Sequence, residues 1–228
     1  MKERNIYKDI VWAVLFCIIA AAAARWGREY ARENRAYGFR IQAAEDLKTE
    51  LVEEFRKISG FCRFLPAKTA WVTIQIDTYT MQAEVMGVDI RQYPVKWEKI
   101  SGAQEEIAMG NTPLLFFGKD AFTELEDQMG YAPLESKIKQ WIQEYPTLKV
   151  SVTDENGQKR TAKICGILSQ PENKIYMDHR QMQEVFGTAS HCSGGFLEIY
   201  GYKNTKKARG LLEDAGFITE DDRTFCRD

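Results

Sequence analysis

Histidine is nearly missing from this chain of 228 residues, in which His179 and His191 are the only two. Imidazole chemistry is thereby confined to two positions, and neither Asp178-His179 nor His191-Cys192 has the ligand spacing of a zinc site. No C-x-x-C pair occurs among Cys17, Cys62, Cys165, Cys192 and Cys226, which argues against a zinc ribbon or a thioredoxin-type motif. G-x-S-x-G is missing too, so Ser190 beside His191 lacks the nucleophile elbow of a hydrolase. Gly118-Lys119 lacks the rest of a phosphate loop. The paired carboxylates Glu53-Glu54, Glu105-Glu106 and Asp221-Asp222 are sequence neighbours that do not share a helical face, so acid–base catalysis has no foothold in them. Neither sign of charge dominates: 31 Lys+Arg stand against 33 Asp+Glu, which removes the electrostatic case for nucleic acid. Repeats and low-complexity tracts are absent. The sequence therefore offers no catalytic, cofactor or metal residues, and it is not read as an enzyme.

Long apolar runs are scarce as well, and the single one present is decisive for location. Ile10 to Ala24 are fifteen residues without a charge, about 22 Å as helix against a hydrocarbon core of ~30 Å. Lys8 and Arg25 can snorkel outward, Ile6 and Tyr7 extend the apolar face, and Trp12 and Trp26 stand near opposite ends, where interfacial aromatics belong. A cleavable secretory signal competes, with Lys2, Arg4 and Lys8 as its basic start and Ala20 to Ala24 as its cleavage region. A buried core helix is the third alternative. Against cleavage, "RWGREYARENRAYGFR" continues with helix formers and no proline. Arg25, Arg28, Arg32 and Arg35 recur at +3, +4 and +3 and line up on one face, to meet lipid headgroups or simply water. The positive-inside rule applied to these arginines puts the C-terminal side in the cytoplasm, but long domains translocate regardless of flanking charge, so charge alone leaves orientation open.

The remainder has the composition of a water-soluble fold, 44% apolar and 28% charged over the chain. Leu47, Leu51, Phe55 and Ile58 predict a helix over 41–58. "TAWVTIQIDTY" alternates strictly, the pattern of a half-buried strand, and "MQAEVMGVDI" reads as its neighbour. "PLLFFGKDAFTELEDQMG" predicts a short strand, a glycine turn and a helix, and "LESKIKQWIQEY" a further amphipathic helix. Asn156-Gly157 centres a hairpin in "LKVSVTDENGQKRTAKICGIL". "KIYM" reads as a strand, "DHRQMQEVFG" as a helix capped by Asp178 and stopped at Gly187, and "GGFLEIYGY" as another strand. A last helix starts with Asn204 or Thr205 as cap and closes near Gly216. Strands and helices interleave, so the class is α+β with a mixed or mainly antiparallel sheet. Cys62, Cys165, Cys192 and Cys226 either form two disulfides, in one of three connectivities, or remain thiols.

The segments "AEVMGVDIRQYP", "TPLLFFGKDAFTEL", "KRTAKICGIL", "NKIYMDHRQMQEVFG" and "GFLEIYGYKNTKKARGLLEDAGF", in that order, resemble the extracytoplasmic domain of MacB-like ABC-transporter permeases, relatives of the FtsX-like permeases. The resemblance spans residues 69 to 218. It implies a membrane helix leading through a helical stalk into an α+β domain that transmits movement or engages partners without chemistry of its own. The implied layout is a short cytoplasmic tail over 1–9, a transmembrane helix over 10–27, a helical stalk over 28–60 and an extracytoplasmic α+β domain over 61–228. Such permeases continue into three further membrane helices and work with a nucleotide-binding ATPase, and this sequence carries neither. The expectation is a single-pass accessory domain with two partners: membrane lipid at Trp12, Trp26, Arg25, Arg28, Arg32 and Arg35, and an envelope or ABC-transporter protein. An anchored or secreted enzyme using His179 or His191, and a cytosol-facing anchored regulator, are the alternatives.

Overall fold

A computed structural model describes residues 3–43, 47, 49–94, 97–100, 112–168, 172–187 and 191–226. Helix α1, Glu3–Glu33, is unbroken, and the chain then enters a sheet at β1, Ala36–Gln42. Next come α2 (Thr49–Phe55), β2 (Phe61–Ile76), β3 (Tyr79–Val88), β4 (Trp97–Ile100) and β5 (Leu114–Phe117). A 3-10 turn, Lys119–Glu124, leads to α3 (Glu135–Glu144). The remainder is β6 (Val150–Asp154), β7 (Lys159–Leu168), β8 (Ile175–Asp178), α4 (His179–Phe186), β9 (His191–Tyr200), α5 (Tyr202–Asp214) and β10 (Ile218–Cys226). Two pairings, β3 with β8 and β5 with β7, are parallel and the other strand pairs antiparallel, so the fold is α+β with a mixed sheet.

Strand β2 organises the domain because it is long enough to serve two assemblies. Its second half pairs with β3 and β6, β6 with β7, β7 with β5, β5 with β8, and β8 with β3, which closes a ring of strands. Alternation sends Val72, Ile74 and Ile76 into a core to which every strand of the ring contributes, sealed by Trp141 of α3 and by Met182, Val185 and Phe186 of α4. Its first half pairs with β9, which continues through β1 to β10. There Phe39, Ile41, Leu197 and Ile199 pack beneath Ala208 and Leu212 of α5, with Phe55 of α2 beside them.

Local signals held where they were strong. The Asn156-Gly157 hairpin forms between β6 and β7, with Asp154 Oδ1 accepting from Asn156 N and Gln158 N at 2.9 Å each. Asp178 caps α4, its side chain accepting from Arg180 N at 3.0 Å, and Gly187 ends it.

Several expectations are corrected. Residues 28–60 are not a continuous helical stalk: α1 stops at Glu33, and "AYGFRIQ" becomes β1, hydrogen-bonded to β9 on one side and β10 on the other. The physical reason is a period-two pattern in which Phe39 and Ile41 bury 99% and 98% of their surface, which a lone helix cannot offer them. Of the helix expected over 41–58, residues 41 and 42 belong to β1 and α2 spans Thr49–Phe55, while 44–46 and 48 lie outside the described residues. The helix after Gly118 is a 3-10 turn, although Ala121, Phe122 and Leu125 point inward as predicted. Helix α5 begins at Tyr202; Asn204 and Thr205 do not cap it but donate backward to the carbonyls of Tyr200 and Gly201, at 2.9 Å each.

One buried polar residue shows how the ring is tied to α4. Gln181 is 1% exposed; its Oε1 accepts from Leu114 N at 2.9 Å and its Nε2 donates to Thr112 O at 2.8 Å, so its amide does the work of a neighbouring strand. Gln181→Leu, close in volume, should cost about 2 kcal/mol by stranding both backbone groups, read as a lowered urea midpoint with unchanged slope.

Candidate functional site

The junction of α1 with the sheet is built from both ends of the chain. Gly201 N donates to Arg35 O at 2.8 Å, Tyr37 OH to Arg32 O at 3.0 Å and Tyr200 OH to Asn34 Oδ1 at 3.1 Å. Lys203 of α5 lies 3.2 Å from Glu29 and 3.8 Å from Glu33, and the Arg32 guanidinium sits 5.1 Å over the Tyr202 ring. The clamp fixes the direction in which α1 leaves the domain.

Of the residues expected at a membrane interface, Arg25, Arg28 and Arg32 are exposed on α1, while Arg35 falls beyond the helix end, in the turn to β1. Trp26 is exposed and pairs with Tyr30 one turn on, ring centroids 6.1 Å apart. Trp12 lies within α1, its side chain outside the described residues. Between these ends Val14 to Ala24 are exposed, including Phe16 at 72% and Ile18 at 60%. Among the described residues no helix is long and apolar enough to cross a membrane, the described side chains of α1 beginning at Val14, so a span over residues 10–27 rests on the sequence.

A second assembly, which the sequence reading missed, joins β1 to the ring. Arg40 Nη1 meets Glu172 Oε1 at 2.6 Å with both side chains about six-sevenths buried, and Tyr176 OH donates to the same oxygen at 2.7 Å. The guanidinium also stands 5.9 Å and 6.0 Å over the rings of Tyr93 and Tyr176. Burial works against the Arg40 charge, but the two phenols and Glu172 outweigh it, and the group remains a cation. Lys174 adds a contact to Glu220 of β10 at 3.3 Å. Alongside runs a groove of about 300 Å³ lined by Arg40, Trp71, Met86, Lys174, Glu220 and the Gly194-Gly195 pair, among others. Its walls mix apolar, cationic and anionic groups, a surface for binding or for coupling two parts of a fold.

Burial holds the Tyr176 phenol well above its ordinary value, with Glu172 acting in the same direction and Arg40 only partly opposing. A phenol whose pKa is higher folded than unfolded contributes stability that is whole below the unfolded value near 10 and is lost as pH rises past it. Urea midpoints should therefore fall between pH 9.5 and 11, less steeply in Tyr176→Phe, with ~0.5 unit steps enough to resolve the difference.

The histidines do not assemble a site. His179 opens α4, where adjacent Asp178 is committed to the cap and to Arg180, and His179 Nδ1 has no hydrogen-bond partner among the described residues. His191 begins β9 opposite Thr69, its side chain outside the described residues. Among the described residues no cluster of three His, Cys, Asp or Glu could hold a metal. Cys62 is exposed, Cys165 is buried in the core, Cys192 is half-buried, and the Cys226 side chain lies outside the described residues. Partial desolvation at this exposed position, then Glu198, pushes the Cys62 thiol up.

No protein-family model matches this sequence, and no curated protein does. Among solved structures, the chain is similar to the extracellular domain of the noncanonic ABC-type transporter YknZ from Gram-positive bacteria, at 10% identity and a TM-score of 0.46, covering 81% of this chain and 100% of that one. It is likewise similar to the periplasmic region of MacB from Actinobacillus actinomycetemcomitans, at 12% identity and a TM-score of 0.48, covering 81% of this chain and 88% of that one. Extracellular and periplasmic domains of ABC transporters, that of MacB included, are thus among the solved structures to which most of this chain is similar.

Proposed function

We propose that this chain is a non-catalytic, single-pass membrane-anchored domain, held outside the cytoplasm by α1, which engages an envelope or ABC-transporter protein. The observation that carries the reading is the contrast within α1. Its end is clamped by Lys203, Tyr202 and Gly201, yet Val14, Leu15, Phe16, Ile18 and Ile19 stand exposed. Each such side chain forgoes about 1.5–3 kcal/mol of burial unless lipid supplies it. With Ile10 to Ala24 uncharged, the apolar stretch gives way directly to Arg25, Trp26, Arg28, Tyr30 and Arg32, the interleaved basic and aromatic side chains that suit a bilayer interface. Arg35, in the turn beyond the helix, extends the basic side of that boundary. The transporter setting is supported by the resemblance of the segments between 69 and 218.

A rigid joint suits this role. Movement of α1 reaches β1 and α5 through the clamp, and from β1 it reaches the ring through Arg40 and Glu172. The arginine distribution favours a second reading, a cytosol-facing anchored regulator.

Three measurements test the reading. In membranes washed with alkaline carbonate, the chain should stay with the pellet, and full release would remove the anchor. In intact cells, Cys62 in a Cys17→Ser background should react with a membrane-impermeant maleimide, slowly at pH 7 and faster at pH 8.5 because its thiol pKa is raised. Labelling that appears only after lysis would favour the cytosolic reading. Partner binding is checked by crosslinked pull-down from solubilised membranes, where enrichment of a transporter permease or another envelope protein is expected.

A further inference from the structure

The loop between the 3-10 turn and α3 carries three large apolar side chains into solvent: Met129 is 82% exposed, Tyr131 68% and Leu134 75%. The loop is stiff. Asp127 Oδ1 accepts from Met129 N at 2.8 Å and Tyr131 N at 3.0 Å, while Asp127 N donates to Tyr131 O and Gly130 N donates to Asp127 O, both at 3.0 Å. Its base is stitched to the start of β3 by reciprocal backbone bonds between Thr80 and Glu126, at 2.8 and 2.9 Å. Ordering that flexible loops lose entropy to achieve on binding is therefore already in place.

Charge and position add to this. From Asp120 to Ser136 the chain carries Asp120, Glu124, Glu126 and Asp127, with Glu135 paired to Lys139 of α3 at 2.7 Å and with Lys119 and Lys137 at the two borders. Strand β2 begins beside Ile199, next to the α1 clamp, and ends at Ile76 opposite Tyr79, next to this loop. Its 16 residues, at ~3.3 Å each, separate the two sites by roughly 50 Å along the strand. An acidic, apolar tip thus stands at the opposite end of β2 from the anchor.

We propose that Met129, Tyr131 and Leu134 form a preformed docking tip for a basic protein surface, one presenting apolar anchors flanked by Lys or Arg. The proposal rests on the reading of this chain as a partner-binding body and goes beyond it by naming the surface and the partner's chemistry. Complementary charge selects the partner: an anionic bilayer is repelled by the acidic rim, and a second copy would bring the same acids against it.

The test uses the full chain in neutral detergent micelles and two labelled amphipathic helical peptides of equal leucine content, one with lysine and one with glutamate on the polar face. Binding is measured above that to empty micelles. The lysine peptide should bind, and its affinity should fall at least tenfold in M129S/Y131S/L134S and again in E124K/E126K, with thermal midpoints unchanged because all these side chains are exposed. Equal binding of both peptides, no binding of either, undiminished binding by the triple serine variant, or self-association abolished by that variant would each overturn the proposal. The triple variant in the crosslinked pull-down separates the two levels. An envelope partner retained by it defeats the tip and leaves the proposed function standing, whereas a wild-type chain that enriches no such partner defeats the function itself.

Discussion

Arg40→Met should lower the stability of the domain by about 3 kcal/mol, a shift in thermal midpoint of roughly 6–12 °C for a domain of this size. The methionine keeps most of the stem volume and removes the charge, so the loss reports what happens to Glu172. That carboxylate is about six-sevenths buried, 2.6 Å from the guanidinium and 2.7 Å from Tyr176 OH, and without Arg40 it keeps, among the described residues, only the phenol as a hydrogen-bond partner. Removing one member of a buried pair leaves an uncompensated charge, which costs more than the pair was worth. Arg40→Met combined with Glu172→Gln should therefore recover part of the loss, and a double variant as unstable as the sum of the singles would show that the pair is not coupled. Exposed pairs such as Lys139–Glu135, by contrast, should be nearly silent when broken.

Gly118→Ala should cost a further ~3 kcal/mol or more, despite adding one methyl group. Its φ of −66° suits any residue, so the requirement is for space alone. A Cβ at this position would lie 1.9 Å from Glu172 O and 3.0 Å from Lys174 O. Both carbonyls are held there by hydrogen bonds, Gly118 N to Lys174 O at 2.9 Å and Asp120 N to Glu172 O at 3.1 Å. Making room means pushing the 172–174 segment away, which breaks those bonds and drags Glu172 from Arg40. The effects of Gly118→Ala and Arg40→Met should accordingly add to less than their sum, and strict additivity in chemical denaturation would separate the two sites. Gly38 is restricted in the same manner, since a Cβ there would enter the Phe196 ring.

These two sites mark how far local reading reaches. Strand β2, the β6–β7 hairpin and α4 were legible because alternation, an Asn-Gly turn and an Asp cap act within a few residues of each other. Strand β1 was not, since "AYGFRIQ" follows a helix of 31 residues and its strand character is realised only through β9 and β10, more than 150 residues away in sequence. Strand β10 gave no apolar run to read, as "ITEDDRTFC" is acidic and pairs at an edge. Arg40 and Glu172, 132 positions apart, carry no mutual signal, and neither was singled out in advance.

By itself the sequence determined the class of the fold, the apolar N-terminal run with its tryptophans and arginines, and the lack of any motif for chemistry. Those properties are composition and short-range period, which exist in the chain before it folds. The tertiary structure alone decided where the helix ends, which strands close the ring, that Gln181 stands in for a strand, and that Arg40 locks β1 to the ring. Each of these depends on which distant backbone supplies the missing hydrogen bond or excludes water from a charge, and no window of neighbouring residues contains that information.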